Sequence, residues 1–374
     1  MKIGTPKEIK NHEYRVGMIP ATVRELTSRG HTVFIEKNAG EAIGLHDELY
    51  VKAGAKILPS AAEVFDAADM IVKVKEPQTS EIKRLKKGQT LFTYLHLAPD
   101  PEQTKGLLEA GIIGIAYETV TDVRGGLPLL APMSEVAGRM AIQAGAHCLE
   151  MASGGRGQLL GGVPGVMAAR VVVLGGGVVG TNAARMAMGL EAHVTVLDVS
   201  LPRLYDLDLR FGAKLQTVYS TIASIEESIL AADVVIGAVL VPGAAAPKLI
   251  TEAMVKGMKK GSVLVDVAID QGGCAATSRP TTHAEPTYKL HDVVHYCVAN
   301  MPGAVARTST FALNNATLPF VVALAEQGPE KAMAMNQYLR AGLNVYKGTL
   351  TYKAVAEARK LPYKHAEEVL GLSY

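Results

Sequence analysis

A chain of 374 residues, 48% hydrophobic and 20% charged, has the make-up of a folded globular protein with room for two domains, so general disorder is excluded. Its 38 basic and 36 acidic residues leave a net charge of +2, no electrostatic footprint for nucleic acid or an anionic membrane. The 37 glycines beside 5% aromatics and no tryptophan suit tight strand–helix turns better than base-stacking surfaces.

The first 130 residues alternate between strand-like and helix-like patterns. Strands are expected at Lys2–Gly4, Thr32–Glu36, Asp69–Lys75, Thr90–Tyr94 and Ile112–Tyr117. Helical spacing covers Ala21–Arg29 before Gly30, and Pro101–Ala110 before Gly111. A glycine just past a helix is the expected stop, because it adopts the left-handed conformation at little cost. A long helix is expected over Ser134–Ala152 with Ser134 as N-cap, followed by a glycine-rich loop, Gly154–Gly165. The rhythm then restarts: strand Val171–Leu174, helix Val179–Met188, strand His193–Leu197. Further strands are expected at Lys214–Val218, Asp233–Ala238, Ser262–Val267 and Val293–Cys297. A second long helix runs from about Ala304 to Glu326 despite Pro319, and the tail reads as helical.

The two long helices bracket the middle of the chain. The expected architecture is therefore one α/β domain, 135–304, inserted into another made of 1–134 and 305–374. Strands alternating with helices argue for mainly parallel sheets. Three cysteines, Cys148, Cys274 and Cys297, are odd in number and none lie at C-x-x-C spacing. A disulfide framework or a zinc site is not expected, no metal-ligand cluster is visible, and a reducing compartment is the default. The opening MKIGTPKEIKNHEYR lacks an apolar core of the signal-peptide kind. The longest apolar run, Val234–Pro247, is interrupted by Gly and Pro and falls short of a membrane span. A cytoplasmic protein is the expectation.

The strongest signal is ARVVVLGGGVVGTNAARMAMGLEAHVTVLDVS. A buried-strand pattern runs straight into Gly175-x-Gly177-x-x-Gly180, which opens a helix, and the next strand ends in Asp198. Gly175 permits the tight turn, Gly177 lets backbone approach a pyrophosphate, and Gly180 lets helix and strand pack closely. The pyrophosphate then sits at a positive helix N-terminus. Asp198 can accept hydrogen bonds from the adenosine ribose hydroxyls. It would repel a 2′-phosphate, which favours NAD over NADP; Arg203, five residues on, pulls slightly the other way. This gives an α/β fold of two doubly wound, Rossmann-like domains.

Several blocks in order carry a resemblance over the whole length: IVKVKEP (71–77), TYLHLAPD (93–100), LAPMSEVAGR (130–139), VVVLGGGVVG (171–180), GAVLVPGAAAPKL (237–249), VDVAIDQGGC (265–274), TTHAEPTY (281–288) and VANMPGAVARTST (298–310). In these the chain resembles the L-alanine dehydrogenase family. The resemblance implies reversible, NAD-dependent oxidative deamination of L-alanine to pyruvate and ammonium. The looser likeness is to the NAD-binding component of proton-translocating transhydrogenase, which passes hydride to a partner protein and supplies the alternative.

Such a deamination needs a carboxylate clamp, hydride transfer from Cα, an acid/base and a positioned water; the cofactor carries the hydride chemistry. Arg15 offers a bidentate grip and a lysine near residue 75 a point charge. Position alone does not choose between Lys73 and Lys75; the resemblance selects Arg15 and Lys75. It makes His96, an imidazole at a strand end, the general acid/base. It makes Asp270 the second catalytic group, positioning water or ammonia and offsetting charge on the imine. Asp266, within the same apolar run, could equally be a buried, satisfied acid. The resemblance also carries over a cofactor set. Ser134 caps the first connecting helix, Val178 and Val179 lie in the glycine turn, and Arg203 and Ser220 flank the adenosine. Val239 and Leu240 follow a strand end. Val267, Ala268, Ile269 and Asp270, with Val298, Ala299, Asn300 and Met301, line the nicotinamide side, Asn300 lying near substrate. Arg279 contacts a phosphate. A homohexamer is the family expectation for assembly.

Overall fold

The structure is a computed structural model that describes residues 1–239 and 246–372. Among the described residues, strands in chain order are β1 (Lys2–Thr5), β2 (Thr32–Glu36), β3 (Lys56–Leu58), β4 (Met70–Val72), β5 (Thr90–Thr93), β6 (Ile113–Ala116), β7 (Arg170–Leu174), β8 (His193–Asp198), β9 (Leu215–Tyr219), β10 (Val234–Gly237), β11 (Val263–Asp266), β12 (Thr287–Leu290), β13 (Val293–Tyr296), β14 (Leu343–Tyr346) and β15 (Thr349–Leu350). The chain divides into two compact units, Met1–Met133 with Val305–Tyr374, and Ser134–Ala304. It leaves the first unit within the helix Ala131–Cys148 and returns through a short 3-10 turn, Met301–Val305, directly before the helix Ala306–Gln327.

The first unit holds a sheet of order β15-β14-β6-β5-β4-β1-β2-β3. Strands β1 to β6 pair in parallel, and β14 and β15 add antiparallel at the β6 edge. Connections run outward in opposite directions from β1, to β2 on one side and to β4 on the other, so the switch point lies between β1 and β4. Such a point is where ligands bind in an open α/β sheet, beyond the carboxyl ends of the strands. Both faces are covered, as a parallel sheet requires. Met70, Val72 and Phe92 belong to one apolar cluster, while Ile71 and Leu91 belong to the cluster on the other face.

The second unit repeats the plan with β12-β13-β11-β10-β7-β8-β9, parallel except for the edge strand β12. Its strands are runs of β-branched residues with both faces buried. Its switch point lies between β7 and β10.

Helix signals mostly act where expected. Asp100 accepts a hydrogen bond from the Gln103 N–H at 2.9 Å, Pro101 opens the helix, and Gly111 ends it at φ +65°. The expected cap at Ser134 is corrected: the helix starts at Ala131, with the Ala131 N–H bonded to Leu127, and Ser134 sits inside its first turn. Pro132, tolerated where an N–H needs no helical partner, is the local reason. The helical reading of the tail is also corrected, because 343–350 is a hairpin. Lys347 (φ +48°) and Gly348 (φ +92°) supply the two left-handed residues of its turn. Strands β3 and β12 are likewise additions to the expected set.

Candidate active site

At the carboxyl edge of the first unit's sheet, charged side chains gather. Arg15, only 2% exposed, follows β1 and is gripped by Glu13: its Nε donates to Oε1 at 2.7 Å and Nη2 to Oε2 at 2.6 Å. Nη1 donates to the Met133 sulfur at 3.1 Å. Burial pushes the Glu13 carboxyl up, but the hydrogen bonds and charge of Arg15, with Lys75 behind them, hold it below the ordinary value. The loop bearing Arg15 is fixed from the helix Ala306–Gln327. Val16 N–H donates to Thr310 Oγ1 at 3.3 Å, and Ile19 N–H to Asn314 Oδ1 at 2.9 Å.

Lys75 lies three residues past the end of β4, which stops at Val72, not at Lys75 as the sequence suggested. The two lysines between which the sequence left the choice open differ in their pairing. Lys73 is fully buried and committed to Glu8 at 2.7 Å and Glu81 at 3.4 Å. The Lys75 ammonium has no ion pair or hydrogen bond among the described residues, and its main chain alone is bonded. Burial pulls its ammonium below the ordinary lysine value. Glu76 opposes this, while Arg15 and Lys10 add to it. The Lys75 ammonium thus feels Glu76 and Glu13 only at a distance, without a direct ion pair among the described residues, and lies in the field of buried Arg15, an environment that favours an anionic neighbour.

His96 follows β5 by three residues and adopts φ +47°, a left-handed conformation rare for a side chain with a Cβ. Glu118, beyond β6, holds it there: the His96 N–H donates to Glu118 Oε1 at 2.6 Å and the Leu95 N–H at 3.2 Å. The imidazole stacks on Tyr94, with ring centroids 5.7 Å apart and planes 4° off parallel. Tyr94 is pinned by donating to the Leu129 carbonyl at 2.6 Å. The ring itself stays 43% exposed, open to a ligand. Backbone strain of this kind persists only where the surroundings enforce it, and it clusters at functional positions.

In the second unit the same edge is built of backbone. Gly175 turns at φ +95°, and Gly180 comes so near the Gly175 carbonyl that a Cβ would lie 1.8 Å from its oxygen. Among the described residues, a Cβ at Gly177 would meet nothing within 4 Å, which leaves room there for a ligand. Gly177 precedes the helix Val178–Gly189, placing Val178 and Val179 at a positive helix end. Asp198 ends β8. Its oxygens accept from the Gly176 N–H at 2.6 Å and the Ser200 N–H at 2.8 Å, which fixes the carboxylate and leaves lone pairs for further donors. Arg203 is spent on the turn itself: it donates to the Gly176 carbonyl and to Thr181, and pairs with Asp206 at 2.6 Å. Ser220 follows β9, bonded through its N–H to the Asp198 carbonyl at 3.0 Å.

Val239 follows β10 and packs on the core; Leu240 lies outside the described residues. Strand β11 ends at Asp266, so Asp270 sits not at a strand end but in a 3-10 turn, Val267–Gln271. Ala268 and Ile269 are buried there, while Asp270 is exposed with no side-chain partner among the described residues. Asp266 is the buried acid of the pair. Its Oδ2 accepts from Cys274 N–H at 2.9 Å, Ala275 N–H at 3.2 Å and the Ser278 hydroxyl, tying down the loop that follows Asp270. Arg279 is exposed and lies over the Tyr288 ring at 4.1 Å. Past β13, Val298 and Met301 are buried, Ala299 is exposed, and Asn300 takes φ +61° with its carbonyl 3.2 Å from His283 Nε2.

The structure thus brings Arg15, Lys75 and His96 to one sheet edge of the first unit. The glycines, Asp198, Asp270, Arg279 and Asn300 lie at the strand ends and connecting loops of the second. Sequence reasoning missed Glu13, Glu8 and Glu118. Each is an acid just past a strand end or beside a singled-out cation, which was the available signal.

Comparison with known proteins gives a family model, alanine dehydrogenase/PNT, N-terminal domain, matching residues 4–137, and its C-terminal domain model matching 141–353. The chain is 63% identical to an alanine dehydrogenase of Halomonas elongata over 371 residues, 99% of this chain and 100% of that one. It is 57% identical to an alanine dehydrogenase of Methanococcus maripaludis over 372 residues, again 99% and 100%. Among solved structures, an L-alanine dehydrogenase superposes with TM-score 0.93 at 53% identity, covering 96% of this chain and 99% of that one. A transhydrogenase from Sinorhizobium meliloti gives 0.81 at 25% identity, covering 94% and 100%.

Proposed function

The chain belongs to the alanine dehydrogenase/PNT family, and on that footing we propose that it converts L-alanine, NAD and water reversibly to pyruvate, ammonium, NADH and a proton. The observation that carries the reading at the site is the unpaired Lys75 ammonium beside buried Arg15. A small carboxylate supplies the counter-charge for Lys75, which acts as a point charge, while Arg15, held in place by Glu13, adds a directed guanidinium contact.

The residues present fit a dinucleotide. The Gly177 face has room where a Cβ would meet nothing, the helix N-terminus favours a pyrophosphate, and Asp198 is a fixed acceptor for ribose hydroxyls. Arg203 is engaged by Asp206, Thr181 and a carbonyl, which supports NAD over NADP. Val178, Val179, Ser220, Val239, Arg279, Ser134 and the segments 267–270 and 298–301 complete the proposed cofactor set. Bound NAD supplies the hydride acceptor for the alanine Cα hydrogen.

The chain's own groups do the rest. Arg15 and Lys75 hold the carboxylate and fix Cα in place. His96 takes a proton from the alanine ammonium before the hydride leaves and passes it to solvent. It then takes one from the attacking water as the carbinolamine forms and returns that one to nitrogen. Finally it accepts the hydroxyl proton as the carbonyl forms and ammonia leaves, to be protonated to ammonium. Asp270 orients the water and offsets the positive charge on the imine, and Asn300 borders the substrate. We place the protein in the cytoplasm as a homohexamer on the same family grounds. No helix among the described residues is long and apolar enough to cross a membrane.

The test is NADH consumption by purified protein with pyruvate, with ammonium, and with both. Turnover only with both is expected. NADH binding without turnover in any mixture would turn the reading toward hydride transfer to a protein partner.

A further inference from the structure

Lys75 is the proposed substrate-side cation, yet its ammonium has no hydrogen bond or ion pair among the described residues; its main chain, by contrast, is held at three points. Its N–H donates to Glu8 Oε1 at 3.3 Å, and the preceding Val74 N–H donates to the same oxygen at 2.6 Å. Its carbonyl accepts from Lys73 Nζ at 3.1 Å and from Thr93 Oγ1 at 2.9 Å. Glu8 and Lys73 are in turn bonded to each other, Nζ to Oε2 at 2.7 Å, with both side chains no more than 1% exposed. Glu8 comes from the segment after β1 and Lys73 from the segment after β4, the two strands that flank the switch point.

We propose that the buried Glu8–Lys73 pair is a positioning device for substrate binding: it clamps the backbone of Val74 and Lys75 so that the Lys75 ammonium is presented unpaired to the substrate carboxylate. This rests on the reading of Lys75 as a carboxylate binder. The pair bridges two strand ends and grips the peptide from both sides, with Glu8 on the N–H groups and Lys73 on the carbonyl. It is costly as a stability element, because two charges leave water for an interior that repays them only through such bonds. The acids that act on the Lys75 ammonium are the adjacent Glu76 and, more weakly, Glu13, and the fixed backbone keeps the ammonium from forming an ion pair with either among the described residues. Glu81 lies 3.4 Å from Lys73, and burial together with the charge of Glu8 pushes its carboxyl above the ordinary value, although Lys73 opposes this.

The experiment is a double-mutant cycle between Glu8 and Lys75, read as steady-state constants for pyruvate and for NADH. Glu8→Ala is expected to raise the pyruvate KM by roughly tenfold, since small misplacements of binding groups cost that much or more, with the NADH KM unchanged. Glu8→Gln, which keeps an oxygen for the two N–H groups, is expected to recover part of the loss. It also serves as the test variant if Glu8→Ala does not fold. In a Lys75→Met background neither change should raise the pyruvate KM further, because there is no ammonium left to position. An unchanged pyruvate KM in the Glu8 variants, or an equal rise in both backgrounds, overturns the proposal while leaving Lys75 as carboxylate binder. A Lys75→Met enzyme with a normal pyruvate KM overturns that binder role itself, and the positioning proposal with it.

Discussion

The two units share one strand order about their switch points, yet their ligand-facing edges are chemically opposite. The first is lined by side chains in charged pairs, Arg15 with Glu13 and Lys73 with Glu8, plus the lone Lys75 and a strained His96. The second is lined by glycine backbone, with one fixed carboxylate and an arginine already spent on the turn. Topology gives each unit the same place to bind something; the size of the ligand sets how. A three-carbon acid can be recognised only by a few strong point contacts. A long dinucleotide can lie along main chain and helix ends, where the absence of side chains is what matters.

The contrast can be broken at its strongest point first. His96→Ala should lower turnover by about 10²–10⁴-fold, with NADH affinity by titration fluorescence unchanged; near-normal turnover would remove His96 from the chemistry. The glycine edge offers a matched pair. Gly180→Ala should lower the melting temperature and abolish NADH binding, because its Cβ would meet a carbonyl oxygen at 1.8 Å. Gly177→Ala should leave the melting temperature alone and weaken only NADH binding, since its Cβ has no neighbour within 4 Å among the described residues. Equal melting temperatures for the two variants would contradict the assigned geometry. Asp198→Ala should weaken NADH binding by about 1.5–3 kcal/mol, the worth of hydrogen bonds to a charged group, and calorimetry would show it.

The smallest expected effect sharpens the charged edge. Burial depresses the Lys75 ammonium below the ordinary lysine value, so it loses its proton earlier than an ordinary lysine as pH rises. The pyruvate KM should therefore climb at alkaline pH with a midpoint below that value. Lys75→Arg, which stays charged, should remove that limb. A limb that persists in the arginine variant belongs to another group.

These outcomes track what was readable in the sequence. The dinucleotide turn is local: strand, glycines, helix and Asp198 occupy one continuous stretch, and each has a steric or electrostatic duty that spacing reveals. The charged edge is not local. Lys73 and Lys75 look alike along the chain, and only Glu8 and Glu81, brought in from elsewhere, decide which is neutralised. The first long helix was placed too late because Ser134 resembles a cap, although Pro132 already marks a first turn. The 343–350 hairpin was hidden among helical neighbours, although Lys347-Gly348 between strand-like pairs is its turn signal. Asp270 reads as a strand end because the apolar run continues past β11 through a 3-10 turn that spacing cannot distinguish from strand.

The anchoring of Val16 and Ile19 by Thr310 and Asn314, and the β14 strand laid against β6, bear on how the chain is born. On a ribosome, the first hundred-odd residues emerge with an unsatisfied sheet edge at β6 and an untethered Arg15 loop. The second unit, contiguous in sequence, can finish folding while the first still waits for the last seventy residues. An open strand edge during that interval is a template for mispairing with other nascent chains. Substrate-binding competence therefore arrives after the second unit is complete. A chain that stops short of Leu343 should accumulate as aggregate, even with its dinucleotide-binding segment complete.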